Sequence, residues 1–334
     1  MTEDSDPCAC PLGPGRTRFY NLDCVEGARR HLPDGSVDLI VTDPPYGIAG
    51  DELHKHYNRD ENLVVDGYIE VDREDYPAFT NAWIAEAARV LRPGGALFAF
   101  SGWSNLRHVL NALAPTPLRE RNHIVWKYNF GVFTTRKFVS SHYHVLYFLK
   151  PGGEPVFNTH ARFRQSERTD EGRSLLYADL EDVWAIPREY KPGRAKNKNE
   201  LPVALLAKIL QYASHEGDLV CDFFLGGFST ARVALGMNRR AVGFEKSESV
   251  FCHGLQSLED VRPGAILDDL KTASGSNPPN QGKSWERAEV LRLVERFQAL
   301  RGEGRTKKDA IALLCEEFGR GRFSVGRILK RESP

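Results

Sequence analysis

Val37-Asp38-Leu39-Ile40-Val41-Thr42-Asp43-Pro44-Pro45-Tyr46-Gly47 is an apolar run of strand length that breaks into a stiff loop. VDLIVT predicts a strand buried on both faces, as in the middle of a parallel sheet. A loop leaving the carboxyl end of such a strand lies where open α/β folds bind ligands. Pro44 and Pro45 fix φ and withhold backbone N–H groups, which leaves carbonyl acceptors in a rigid frame. Asp43 adds a carboxylate and Tyr46 a ring on which a planar group can stack. Acceptors of this kind suit an aromatic amine: by taking its N–H hydrogens they draw the nitrogen out of conjugation and free its lone pair. The competing reading is an ordinary strand-end turn, because Asp-Pro and Pro-Pro are common turn formers.

The neighbouring sequence extends the same architecture. Tyr76 to Leu91 carries Phe79, Trp83, Ala87 and Val90 at helical spacing, and Ala96 to Ser101 (ALFAFS) follows as a strand. Ile124 to Tyr128 and Val145 to Leu149 are two more strand-like runs. Further on come a helix at Leu201 to Tyr212, a strand at Leu219 to Phe224, a helix at Thr230 to Gly236 and a strand at Ala241 to Phe244. This alternation predicts a parallel α/β sheet. Asp222-Phe223-Phe224-Leu225-Gly226-Gly227-Phe228-Ser229-Thr230 is a strand entering a glycine turn that opens a helix, a place where a cofactor approaches backbone. Glu245, about twenty residues on, ends the next strand, where nucleotide-type folds grip ribose hydroxyls with a carboxylate. A plain strand-to-helix connection is the alternative.

With 45 basic and 45 acidic side chains in 334 residues the net charge is zero, so any nucleic-acid surface must be local. The six cysteines show no repeated C-x-x-C spacing, which favours reduced thiols and a cytoplasmic setting. No apolar run approaches the ~18 residues of a membrane span. By composition, residues 1–15 read as a disordered leader, 16–150 and 200–270 as two halves of a catalytic domain, 151–199 as a polar insertion, 271–283 as a linker and 284–334 as a helical appendage.

The order of these motifs resembles the amino-methylating DNA methyltransferases of restriction–modification type in their permuted, beta-class arrangement. There a D-P-P-Y loop comes first, a target-recognition segment second and an F-x-G-x-G cofactor strand last; here they correspond to Asp43–Tyr46, residues 151–199 and Asp222–Thr230. The resemblance spans about Arg16 to Leu258. It implies a Rossmann-like, seven-stranded α/β methyltransferase sheet with an inserted recognition region. Asp43, Pro44, Pro45 and Tyr46 would then be catalytic, with the base flipped onto Tyr46. S-adenosyl-L-methionine would be held by Asp23, Asp222, Phe224, Gly226, Gly227 and Glu245, together with Lys198, Leu201 and Pro202 of the Lys198-Asn199-Glu200-Leu201-Pro202 loop. Trp126, Lys127 and Phe138 to Lys150 resemble the strands beyond the target-base pocket. The implied partner is double-stranded DNA, with room for a cognate restriction endonuclease and a homodimer. An aspartate at the first loop position goes more often with N6 of adenine than with N4 of cytosine.

Phe228 departs from the family pattern, standing where a second glycine is usual; this motivates a noncatalytic DNA-binding relative as the rival reading, against a modified but working loop that Gly227 accommodates. His54/His56 and His142/His144 lack the further ligands of a metal site, so packing is expected and no metal. Arg188, Lys191, Arg194, Lys196 and Lys198 form a basic strip that either contacts phosphate or is merely solvated. Arg305 to Arg331 carries eight basic and three acidic residues in two short helices around Phe318-Gly319-Arg320-Gly321. A helix-turn-helix using Arg320, Arg322 and Arg327 on DNA, and packing against the catalytic domain, are both open.

Overall fold

The computed structural model describes residues 9–11, 17–46, 71–129, 131, 135–158, 179–189, 200–268, 280 and 284–332. Lys191, Arg194, Lys196, Lys198, His54 and His56 lie outside the described residues, as does nearly all of the expected linker. The chain divides into two compact units, one of 1–157 with 182–269 and one of 158–181 with 270–334.

The first unit is built on β1 (Ala9–Pro11), β2 (Arg18–Tyr20), α1 (Cys24–His31), β3 (Val37–Thr42), α2 (Tyr76–Val90), β4 (Leu91–Ser101), α3 (Leu106–Leu113), β5 (Arg119–Lys127), β6 (His142–Leu149), β7 (Val183–Ala185), α4 (Val203–Ala213), β8 (Leu219–Asp222), α5 (Ser229–Gly236), β9 (Arg240–Phe244), α6 (Glu248–Gln256) and α7 (Ala265–Asp268). Its strands form one sheet in the order β1-β2-β9-β8-β3-β4-β6-β5-β7. The expected seven strands are thus nine among the described residues. One addition is β1, which pairs antiparallel with the outer edge of β2 and so gives part of the expected leader a place in the sheet. The other is β7, which runs parallel to β5 inside the stretch read as a polar insertion.

The five neighbours β2, β9, β8, β3 and β4 are mutually parallel, so their carboxyl ends emerge at one edge of the sheet. β3 is buried throughout except Asp38, as a central parallel strand must be. Its Ile40 joins the cluster formed with Trp83, Ile84 and Ala87 of α2 and Phe244 of β9, whereas Leu39 and Val41, equally buried, alternate to the other face. The chain runs from β3 through α2 to β4 on one side, and from β8 through α5 to β9 on the other. The β3/β8 junction is therefore the topological switch point, where such sheets open a crevice.

The second unit contains α8 (Arg287–Gly302), α9 (Lys307–Phe318) and α10 (Arg322–Glu332), closed over their own core of Leu293, Ala310, Leu314, Phe318, Val325 and Ile328. Here one sequence-based expectation is corrected. Arg320 is not offered to DNA: it is 4% exposed, pairs with Glu289 at 2.9 Å, donates to the Asn280 and Ser284 carbonyls and lies 4.5 Å from the Trp285 ring centre. Its charge is consumed in fastening the turn before α10. Among the described residues no helix is long and apolar enough to cross a membrane.

Candidate active site at the strand switch point

A cavity of about 390 Å³ opens at the carboxyl ends of β2, β3, β8 and β9. The two motifs meet there through one hydrogen-bond network. Thr42, the last residue of β3, donates its hydroxyl to Asp222 Oδ1 at 2.8 Å and accepts from the Phe223 amide at 3.2 Å. Asp222 also accepts from the Phe224 amide at 3.0 Å, so one carboxyl group ties the ends of β3 and β8 together. Burial pushes Asp222 up to about 7 against the pull of these donors and of Thr230.

Asp43 and Pro45 line the cavity, whereas Pro44 and Tyr46 are buried behind it. Burial raises Asp43 to about 6, with the hydrogen bond from the Tyr46 hydroxyl and the charge of Arg188 holding it from going higher. The Tyr46 ring stacks on Tyr143 of β6, with centroids 5.3 Å apart and planes 13° from parallel. Asn105 donates its side-chain amide to the Tyr46 carbonyl and so fixes the loop exit. Arg188, read from sequence as part of a basic strip that either contacts phosphate or is merely solvated, has its guanidinium carbon 5.1–5.3 Å from the ring centres of Trp126, Tyr128 and Tyr143. A cation among three rings, close enough to Asp43 to lower its pKa, forms one wall beside the D-P-P-Y loop. The sequence signal available for it was the aromatic content of β5 and β6, not the count of basic residues.

On the β8/β9 side, Glu245 accepts from the Gly226 amide at 3.0 Å and the Ser247 amide at 2.8 Å, which orients its carboxylate at the cavity while burial raises its pKa. Asp222, Phe224, Gly226 and Gly227 line the same space. So does Asp23, whose Oδ1 caps α1 by accepting from the Val25 amide at 3.0 Å. Leu201 lines it, but Pro202 stands behind as the residue preceding α4. Asp72, Asp75 and Phe79, at the entry to α2, also line the cavity and were missed; acidic residues before a helix carry no distinctive signal.

Phe228 has a physical explanation. Its backbone adopts the left-handed conformation, φ 60° and ψ 24°, that a glycine in its place would take without strain. Its side chain turns away from the cavity and is fully buried between Phe19 and Phe251, at ring distances of 5.2 and 5.7 Å. The room comes from Gly254, where a Cβ would stand 2.1 Å from Phe228 Cδ2. Gly254→Ala should therefore destabilise the fold by about 1 kcal/mol or more through overpacking. A lowered denaturation midpoint, with a smaller loss from Gly254→Ala once Phe228→Ala is present, checks this size match; an unchanged midpoint contradicts it.

His144 behaves as a packing group. His144 Nδ1 lies 2.7 Å from His123 Nε2, and burial with the neighbouring His123 and His142 pushes His144 down to about 4, so it is neutral near pH 7. Among the described residues no cluster of three His, Cys, Asp or Glu side chains is arranged for a metal ion.

The chain is similar to known DNA-modifying proteins over this same region. It is 28% identical over 222 residues to the type II methyltransferase M.HpaI of Haemophilus parainfluenzae, covering 65% of this chain and 67% of that protein. It is 31% identical over 247 residues to the type II methyltransferase M.BamHI of Bacillus amyloliquefaciens, covering 68% of this chain but only 54% of that protein. In fold it matches the crystal structure of the M1.HpyAVI–SAM complex with a TM-score of 0.51 and 20% identity, over 72% of this chain and 98% of that one. The N6/N4 methyltransferase family model, described as DNA methylase, matches residues 37–253. Since that match begins at β3 and runs through both walls of the cavity into α6, this chain belongs to the N6/N4 DNA methylase family.

Proposed function

We propose that this chain transfers a methyl group from S-adenosyl-L-methionine to the exocyclic amine of a base flipped out of double-stranded DNA, N6 of adenine in preference to N4 of cytosine. The observation that carries the reading is that the Asp43 carboxylate and the Glu245 carboxylate face one cavity from opposite sides of the switch point. The residues present fit the cofactor: Glu245 and Asp23 offer acceptors for hydroxyl and amino groups, Phe224 and Val250 offer apolar surface for a ring, and Gly226 and Gly227 bring backbone close. When bound, S-adenosylmethionine would supply an electrophilic methyl on a sulfonium, its S–C bond breaking as the N–C bond forms, and the proton the methylated amine then sheds would pass to solvent. Asp43 accepts an N–H of the target amine, and the rigid prolines hold it in place. Trp126, Tyr128, Tyr143 and Arg188 form the wall that a flipped base would meet, and Tyr46, anchored by Asn105, donates its hydroxyl to Asp43. Burial of Phe228 away from the cavity supports a working cofactor loop rather than a noncatalytic relative. The resemblance adds a cognate restriction endonuclease and a second copy of the chain as partners, and action on DNA in the cytoplasm.

The test is to express the chain in cells lacking endogenous DNA methylation and identify the nucleosides of their DNA by mass spectrometry. N6-methyladenine is the expected product; N4-methylcytosine would reverse the choice of base, and unmodified DNA alongside a soluble, cofactor-binding protein would defeat the catalytic reading. A second expectation concerns pH. Asp43 accepts the amine most strongly when ionised, and burial places that ionisation near 6, so kcat/KM should rise with pH through about 6. Arg188 lowers the Asp43 pKa, so Arg188→Ala should move this acid limb to higher pH. A limb that stays in place would show that Arg188 and Asp43 are not electrostatically linked during turnover.

A further inference from the structure

We propose that α8–α10 form a second DNA-contacting unit of the helix-turn-helix kind, with α10 laid in a major groove and Arg327, Lys330 and Arg331 on the phosphates. The inference uses the DNA substrate of the reading above but not its chemistry.

The three helices bury a core of their own, and the connection between α9 and α10 is tightly specified. Gly319 takes φ 58° and ψ 37°, the Arg320 amide closes onto the Cys315 carbonyl at 3.1 Å, and the Arg320 side chain fastens the turn to Glu289 and Trp285. A glycine-bearing turn of this length between two packed helices is the helix-turn-helix arrangement, in which the second helix reads the groove. The pattern of α10 agrees. Val325, Ile328 and Leu329 are buried at 0–4% exposure, which at 100° per residue turns Arg327 and Lys330 to the opposite side, with Gly326 and Arg331 at its two borders. Arg327, Lys330 and Arg331 are exposed, and the only carboxylate on α10, Glu332, is already paired with Arg287 and Arg331. At Gly326, on one border of that face, a Cβ would have no neighbour within 4 Å, so a groove wall can come close there. An outward helix face that is basic, free of unpaired acid and small at one border complements a polyanionic groove.

The test uses the full chain and an unmodified 30-base-pair duplex, with binding followed by fluorescence anisotropy across a salt series. Arg327→Ala/Lys330→Ala/Arg331→Ala should flatten the slope of log affinity against log salt by about 2–3, at roughly 0.9 for each phosphate no longer neutralised. With unmodified genomic DNA as substrate, KM should rise while kcat at saturating DNA and S-adenosylmethionine affinity stay unchanged. Gly326→Glu guards against a folding artefact: glutamate is the better helix former, so this variant should melt no lower than the parent yet bind DNA more weakly. Parental salt slopes and KM in both variants would overturn the proposal and leave α8–α10 a packing or protein-binding appendage. A chain that methylates nothing, but whose DNA affinity still falls in these variants, would refute the proposed reaction and keep this inference.

Discussion

Asp43→Ala is expected to lower kcat for methyl transfer by about 10²–10³ and to leave S-adenosylmethionine affinity nearly unchanged. The magnitude is that of removing one fixed polar group aimed at the reacting centre of a desolvated site. The separation of the two effects follows from position. Asp43 follows β3, is hydrogen-bonded by Tyr46 and feels the charge of Arg188, all on the β3/β6 side of the cavity. Asp23 and Glu245, the carboxylates proposed to take the cofactor's amino and hydroxyl groups, lie beyond the β2 and β9 ends. Calorimetric titration with S-adenosylmethionine, beside single-turnover methylation of DNA, makes the comparison. Equal losses in both would move Asp43 to the cofactor side and leave the amine without its acceptor. Asp43→Asn is an informative companion: it keeps an acceptor oxygen without the charge, so it should retain more activity than alanine and lose the acid limb near pH 6.

Glu245→Ala is expected to produce the converse, weakening S-adenosylmethionine by roughly 1–3 kcal/mol, the scale of deleting a charged hydrogen-bond acceptor. Two consequences combine in this variant. The ribose loses its acceptor, and the Gly226 and Ser247 amides lose the carboxylate that now accepts from both, so the glycine turn loses its tie to the end of β9. Glu245→Gln separates them, because its carbonyl oxygen can still accept from one of the amides. If the affinity of Glu245→Ala equalled that of the parent, the ribose assignment would be wrong.

What was legible in the sequence follows from where burial is two-sided. β3, β8 and β9 sit in the middle of the sheet, so nearly every residue is apolar and the runs stand out. α2 shows itself because Trp83, Ile84 and Ala87 must face one core at helical spacing. β2 and β7 are three residues each, too short to display any period, and are defined by their partners β9 and β5. The site divides the same way. Its loops were readable because Asp43–Tyr46 and Gly226–Gly227 are contiguous and chemically unusual. The Arg188 cage was not, because its rings come from β5, β6 and the residue after β5, far from Arg188 in the chain. Phe228 read as an obstruction because the space for its ring is made by Gly254, twenty-six residues later. Arg320 read as a DNA contact because a charge count registers the guanidinium but not Glu289, thirty-one residues upstream. In each miss the deciding partner is remote in sequence.

The new bond is proposed to form at an exocyclic nitrogen of a DNA base. This is tested most directly by incubating the purified chain with S-adenosylmethionine carrying a ¹³C methyl group and DNA uniformly labelled with ¹⁵N, then recording the NMR spectrum of the isolated methylated nucleoside. A ¹³C methyl coupled through one bond to the amino ¹⁵N is expected, and is expected to be absent when Asp43→Ala replaces the parent under the same conditions. A ¹³C methyl bonded to a ring carbon, or no label in the DNA while S-adenosylmethionine is bound, would contradict it.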